Sequence, residues 1–275
     1  MTEERKLEGI FAKEIIISPS AVVDEDVKIR GLDGNPAERV VIGDHTHVRK
    51  GFRAALKSIE IGDWCTINGP CTVYGYETVS IGHCCWIGQD VVLNCNAPLN
   101  IGRGCILSSK CNIWTHFTGG DTVEGCRYHS TKPATLGDDV WLGVGVTVAP
   151  VNIGAKSLVL SNAAVTHDIP PNRVYGGVPA RDLTEKMGAP FEEISAAEKL
   201  ERLRRKFEEF KIEMAAQGRA LDFSKIRLTD GAPCEIAGVS TFSTLTRTYS
   251  KIGTEEETAF MRFLIPQIKF YPAGK

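Results

Sequence analysis

The sequence predicts a mainly β protein: a three-sided parallel β-helix of about seven coils, followed by a long helix and a small α/β region. Three observations predict it. An aliphatic–glycine pair recurs six times, at Ile42, Ile61, Ile81, Ile101, Leu136 and Ile153, with spacings of 19, 20, 20, 35 and 17 residues. Inside each copy aliphatic residues repeat every six positions, as in Ile61, Ile67, Val73 and again in Ile81, Ile87, Leu93. Four positions after each leading aliphatic stands a compact side chain: Thr46, Cys65, Cys85, Cys105, Val140 or Ser157.

A period of six is foreign to a helix, whose 3.6-residue turn would scatter these residues around its surface. A single alternating strand would show period two without interruption. Three short strands per turn account for it. One aliphatic per side points into a narrow prism, and a glycine or compact residue sits at each tight corner. Layers stacked about 4.8 Å apart then build a column roughly 33 Å tall.

The elements follow in order. Ile17, Val23 and Ile29 supply the first coil, with Ala21 and Val27 at its compact positions. The sets led by Ile61, Ile81 and Ile101 continue the column. The third set ends at Ile113, and the segment "HFTGGDTVEGCRYHSTKPA" then leaves register. Its glycine, threonine and charged residues predict an exposed excursion loop, taken as 116–135. The prism resumes at Leu136 and runs through Val165, and "DIPPNRVYGGVPARDL" ends the column, which is bounded at 1–185. Ser195 followed by Glu198 reads as a capping box opening a helix that stops at Gly218. This gives an amphipathic segment, 186–218, with a seam of Leu200, Leu203, Phe207, Phe210 and Met214 for the column or for partner helices. Residues 219–275 read as a small α/β appendage, with a second helix opening at Thr254 and a last strand in "QIKFYP".

The bulk numbers exclude several functions. The 275 residues carry 32 basic and 34 acidic groups, a net charge of -2, which gives no electrostatic reason for nucleic acid as a partner. No apolar run reaches the roughly 18 residues of a membrane span, and "MTEERKLEG" lacks a signal-peptide core. The expectation is a cytoplasmic protein without membrane contact. Nine cysteines without a CxxC pair predict reduced thiols packed as small hydrophobes at corners.

Taken alone, His116 would read as an exposed loop histidine. The pattern "NIWTH", then "LGDDVWLGVGV" and "VTHDIPPNRVYGGVPAR", resembles the coenzyme-A-dependent acetyltransferases of the hexapeptide-repeat family, over about residues 15–183. The resemblance implies a left-handed coil, a homotrimer with the thioester held between neighbouring columns, and acetyl-CoA (or another acyl-CoA) as co-substrate with no metal. It implies acyl transfer, acetyl in the first place, to a hydroxyl or amino group of a sugar, a nucleotide-sugar or a similar small acceptor. His116 matches the family's general base. Imidazole accepts a proton near neutral pH, and a positioned base contributes about 10²–10⁴-fold. Trp141, Val144, Ser161, Thr166, His167 and Arg181 fall where the family contacts coenzyme A, and His167 departs from its usual lysine. Asn94 and Asn96 match an asparagine motif at the acceptor, with His129 a further candidate there.

Two other readings stand beside this one. A γ-type carbonic anhydrase on the same fold would hold zinc through three histidines, here His83, His116 and His129, yet the paired ligands five residues apart that this enzyme requires do not occur. A non-catalytic β-helix scaffold would use its C-terminal strip for docking.

Overall fold

A computed structural model describes residues 8–234 and 236–273. The chain forms two compact units, Met1–Phe191 and Glu192–Lys275.

The first unit is a three-faced parallel β-helix. Its first face stacks seven strands, from Ala12–Ile17 to Asn152–Ile153. Its third face also stacks seven, from Lys28–Arg30 to Ala164–Val165. The second face begins at Val22–Val23 and has nine. The six-residue period becomes vertical register. Ile42, Ile61, Ile81, Ile101, Leu136 and Ile153 pair in line down the first face. Ile29, Ala54, Val73, Leu93, Ile113, Val148 and Val165 do so down the third. All thirteen are buried, and together with the aliphatics of the second face they fill the prism.

The corners explain the repeated glycine. A Cβ on Gly62 would stand 2.8 Å from the backbone nitrogen of His83, and one on Gly82 2.7 Å from that of Arg103. Stacked corners pass too closely for any side chain there. Four of the compact residues three positions after these glycines are also donors, which packing alone did not predict. The thiols of Cys65, Cys85 and Cys105 point at the carbonyls of Gly82, Gly102 and Gly137 at 3.0, 3.1 and 3.1 Å. The Thr46 hydroxyl donates to the Gly62 carbonyl at 2.6 Å in the same manner. Each of these four corners thus ties one coil to the next.

One boundary differs from the sequence expectation. The prism resumes at Ala134, which pairs with Leu99, two residues before Leu136. The column continues past the two prolines: Val174–Gly176 adds a further strand to the second face, and Arg181–Asp182 returns antiparallel to it. A short helix, α1, spans Thr184–Met187.

In the second unit, helix α2 spans Ala196–Ala216. Its N-cap Ser195 accepts from the Glu198 N–H at 3.1 Å, and Gly218 follows with φ +69°. Helix α3, Glu255–Leu264, is capped by Thr254. A four-stranded sheet runs in the order Ile226–Thr229, Ser240–Ser243, Thr248–Tyr249, Tyr271–Pro272. The seam of α2 closes on this unit's own aromatic core. Phe210 is fully buried, and its ring centroid lies 5.8 Å from Phe223, 5.1 Å from Phe260 and 5.4 Å from Phe263. The seam therefore belongs to an intramolecular core. No helix among the described residues is long and apolar enough to cross a membrane.

Candidate active site

The break in the coil is a small antiparallel ribbon at its root. His116–Thr118 pairs with His129–Thr131, so His116 faces Thr131 and Thr118 faces His129. The segment is therefore an ordered hairpin where it leaves the wall. Beside it lies a cleft of about 820 Å³, lined by Trp114, His116, Phe117, Tyr128, His129 and Thr147 among others.

His116 is half-buried, and its Nδ1 lies 2.8 Å from Oδ1 of Asn94, one coil earlier on the same edge. Asn94 is fully buried. The same Oδ1 accepts from the Thr115 hydroxyl at 3.1 Å and from the backbone N–H groups of Thr115 and Asn96, both at 3.4 Å. On the other side, Nδ2 of Asn94 donates to the Asn96 Oδ1 at 3.1 Å and the Tyr74 carbonyl at 3.4 Å. Obligate backbone donors on one amide atom and a carbonyl acceptor beside the other fix which atom is oxygen. An oxygen facing Nδ1 requires a proton on Nδ1. The neutral ring then carries its lone pair on Nε2, on the side away from Asn94. The Thr115 hydroxyl, itself buried, accepts from the Ala97 N–H at 3.1 Å and locks the turn from beneath.

The other sequence-selected residues fall in two groups. Asn94, Asn96, His116 and His129 share the edge between the third and first faces. Thr166 and His167 follow the last strand of the third face and occupy the same edge two coils further on, with 2.9 Å between the Thr166 hydroxyl and His167 Nδ1. Trp141, Val144, Ser161 and Arg181 lie on the second face or its following corner. Trp141 and Val144 are half exposed, and Trp141 Nε1 sits 3.4 Å from the Ser108 hydroxyl. A single chain thus separates His116 from Trp141 by the width of the third face. Asn94 was expected to face an acceptor; its burial and its internal hydrogen bonds place it under the His116 ring instead. The sequence reading had no reason to select Trp114, Thr115 and Tyr74, because only coil register brings them beside Asn94.

The remaining histidines are engaged elsewhere. His45 stacks on Trp64 with centroids 4.1 Å apart, His47 Nε2 meets the Asp24 carboxylate at 2.9 Å, and His83 Nδ1 accepts from the Asp63 N–H at 2.9 Å. Among the described residues no three His, Cys, Asp or Glu side chains are grouped to hold a metal ion. The set of His83, His116 and His129 is therefore not assembled as a zinc site.

A three-faced prism of hexapeptide coils, broken at one edge by a hairpin that carries an anchored imidazole, defines a class of β-helical proteins. No family model matches the chain. It is 30% identical over 142 residues to a putative colanic acid biosynthesis acetyltransferase of Escherichia coli, covering 50% of this chain and 75% of that one. It is 33% identical over 120 residues to a putative acetyltransferase of Saccharomyces cerevisiae, covering 41% of this chain and 60% of the relative. Against galactoside O-acetyltransferase of Escherichia coli the values are 30% over 128 residues, 38% and 63%. The chain thus spans less than two thirds of the length of the last two. Among solved structures, the polysialic acid O-acetyltransferase OatWY aligns with 66% of this chain and 88% of its own at 21% identity, with a TM-score of 0.46. The chain belongs to the hexapeptide-repeat acyltransferase family, whose coil is left-handed.

Proposed function

We propose that the protein transfers an acyl group, acetyl in the first place, from coenzyme A to a hydroxyl or amino group of a sugar, a nucleotide-sugar or a similar small acceptor. The observation that carries the reading is the His116 ring, held through Nδ1–H on a buried asparagine beside an open cleft. Coenzyme A supplies the activated thioester carbonyl. His116 Nε2 removes the proton from the acceptor oxygen or nitrogen as it attacks that carbonyl. Asn94 Oδ1, accepting from Nδ1–H throughout, keeps the ring oriented while Nε2 carries the proton. The same Nε2–H then returns the proton to the departing sulfur, so His116 ends as it began.

The residues present fit the cofactor. Trp141 and Val144 offer an exposed apolar wall for a pantetheine arm, Ser161 lies one coil below, and Arg181 offers a guanidinium for phosphate. Thr166 and His167 would serve the copy on whose edge they lie. The separation of these groups onto two edges supports a homotrimer, in which the His116 edge of one copy meets the Trp141 face of the next. Nine cysteines outside any disulfide, seven of them buried, support a reducing, cytoplasmic setting.

The test is thiol release from acetyl-CoA with a panel of sugars and nucleotide-sugars. Wild-type turnover is expected with at least one acceptor, and His116→Ala should lower kcat about 10²–10⁴-fold while acetyl-CoA still binds. Undiminished turnover in His116→Ala, or no binding of acetyl-CoA, refutes the reading.

A further inference from the structure

A second groove opens on the third face, toward the N-terminal coils. It has a volume of about 410 Å³ and is lined by Lys28, Arg30, Arg53, Thr72, Tyr74 and Phe11 among others. It adjoins the His116 cleft through two aromatic rings. Trp114 lies 5.9 Å from the His116 ring, and Tyr74 meets Trp114 edge-on at 6.3 Å and 85°. Trp114 lines the cleft and Tyr74 lines the groove.

Register gives the scale. Arg30, Ala55, Tyr74 and Asn94 pair in successive coils, so Arg30 stands three layers from the residue that holds His116, about 14 Å along the axis. Lys28 pairs with Arg53 beside it. Alternation turns these three side chains outward while Ile29, Phe52 and Ala54 fill the prism. Lys28 and Arg30 therefore have no packing duty, whereas Arg53 also donates to the backbone carbonyls of Asp26 and of Phe52, the latter at 3.0 Å. Lys28 and Arg30 are exposed, and no ion pair involves either among the described residues. Two carboxylates are near. Asp26 is committed to Arg53 at 3.2 Å and to the Gly51 N–H at 3.0 Å, and Glu8 lines the groove itself. Three cations against these two carboxylates leave one positive charge in excess, in a chain whose net charge is -2.

We propose that the acceptor is an anionic saccharide: the sugar to be acylated lies against Trp114 and His116, and a phosphate or carboxylate further along the same molecule is held by Lys28, Arg30 and Arg53. This rests on the transferase reading and narrows its substrate class. Aromatic rings suit the apolar faces of a sugar, and guanidinium groups pair with phosphate or carboxylate oxygens through two parallel N–H bonds. A nucleoside diphosphate and an acidic oligosaccharide both present this chemistry.

Calorimetric titration with UDP and with a galacturonic acid tetramer separates the two sources and needs no turnover. At least one probe is expected to bind, more weakly as salt rises, and Lys28→Glu/Arg30→Glu should weaken it at least tenfold. The milder Arg30→Gln should give part of that loss with an unchanged Tm, and Lys186→Glu on α1 none. With turnover, the double variant should raise KM for the anionic acceptor at least tenfold and leave kcat and the KM for acetyl-CoA within about twofold. Absence of binding by both probes, or affinity within twofold in the double variant, overturns the proposal even where acetyl-CoA binds normally. Failure to bind acetyl-CoA overturns the transferase reading and leaves the two titrations to decide this one.

Discussion

Replacing Asn94 with alanine tests the chemistry at its anchor. The side chain is fully buried, and its Oδ1 accepts from His116 Nδ1 at 2.8 Å, from the Thr115 hydroxyl and from two backbone N–H groups. Truncation leaves those donors without their acceptor, which costs about 1–3 kcal/mol of stability. For a unit of this size each kcal/mol lowers Tm by about 2–4 °C. Catalysis should fall further than stability implies. The ring loses one orienting hydrogen bond, about 1 kcal/mol or roughly fivefold in rate, and also the partner that keeps its proton on Nδ1. We expect kcat to drop about 10–100-fold, less than for outright loss of the base. Asn94→Asp distinguishes positioning from simple destabilisation. A carboxylate still accepts from Nδ1–H but stabilises the imidazolium, so the acid limb of the kcat/KM profile should move to higher pH. The assays are steady-state thiol release against pH and thermal unfolding of the same samples. A folded Asn94→Ala with kcat within twofold of wild type would show that this bond does not orient the base.

Two further outcomes concern the rest of the chain. Only Cys126 and Cys234 should be alkylated by iodoacetamide in the native protein, because the other seven thiols are buried and burial raises Cys71, Cys95 and Cys111 to about 11, 12 and 11; a third adduct on folded protein, seen by intact mass, contradicts this. In the second unit, burial holds the Glu257 carboxyl above its usual 4.5, only partly offset by the N–H groups of Ile252 and Gly253. A raised folded value favours the protonated form, so this contribution to stability is complete below 4.5 and is lost as pH rises through the folded value. Urea transitions at pH 4, 5.5 and 7 should show that decline in wild type and a flatter response in Glu257→Gln, and parallel responses would refute it.

The column was legible because its energetics are periodic. One aliphatic per six residues fills each layer, and a missing side chain at each corner permits the next layer to approach, so the fold is written as spacing. His116 was legible as the place where that spacing fails. What spacing could not show is what the exposed and edge residues touch. Asn94 looked like an acceptor contact from its motif, yet it lies buried one layer from a residue 22 positions away, and only register reveals that. The corner cysteines read as packing residues, and their donation to glycine carbonyls depends on the same register. The α2 seam had the right period for a partner helix, but its phenylalanines close on α3, whose sequence shares no repeat with it.

The placement of His116 has a physical logic of its own. An acyl transfer loses rate steeply when reacting atoms are misplaced by an ångström, and a loop is a poor place to hold a base. Here the proposed base is the first residue to leave the wall. Its backbone begins the hairpin, while its ring is fastened to a side chain that belongs to the wall and is locked by the coil's own backbone donors. The ring therefore shares the rigidity of the prism. Beyond it Phe117, Val123 and Tyr128 are exposed and free to adapt to whatever lies opposite. The chain thereby separates two demands that usually compete, precision at the reacting proton and adaptability toward the acceptor, by one residue of sequence.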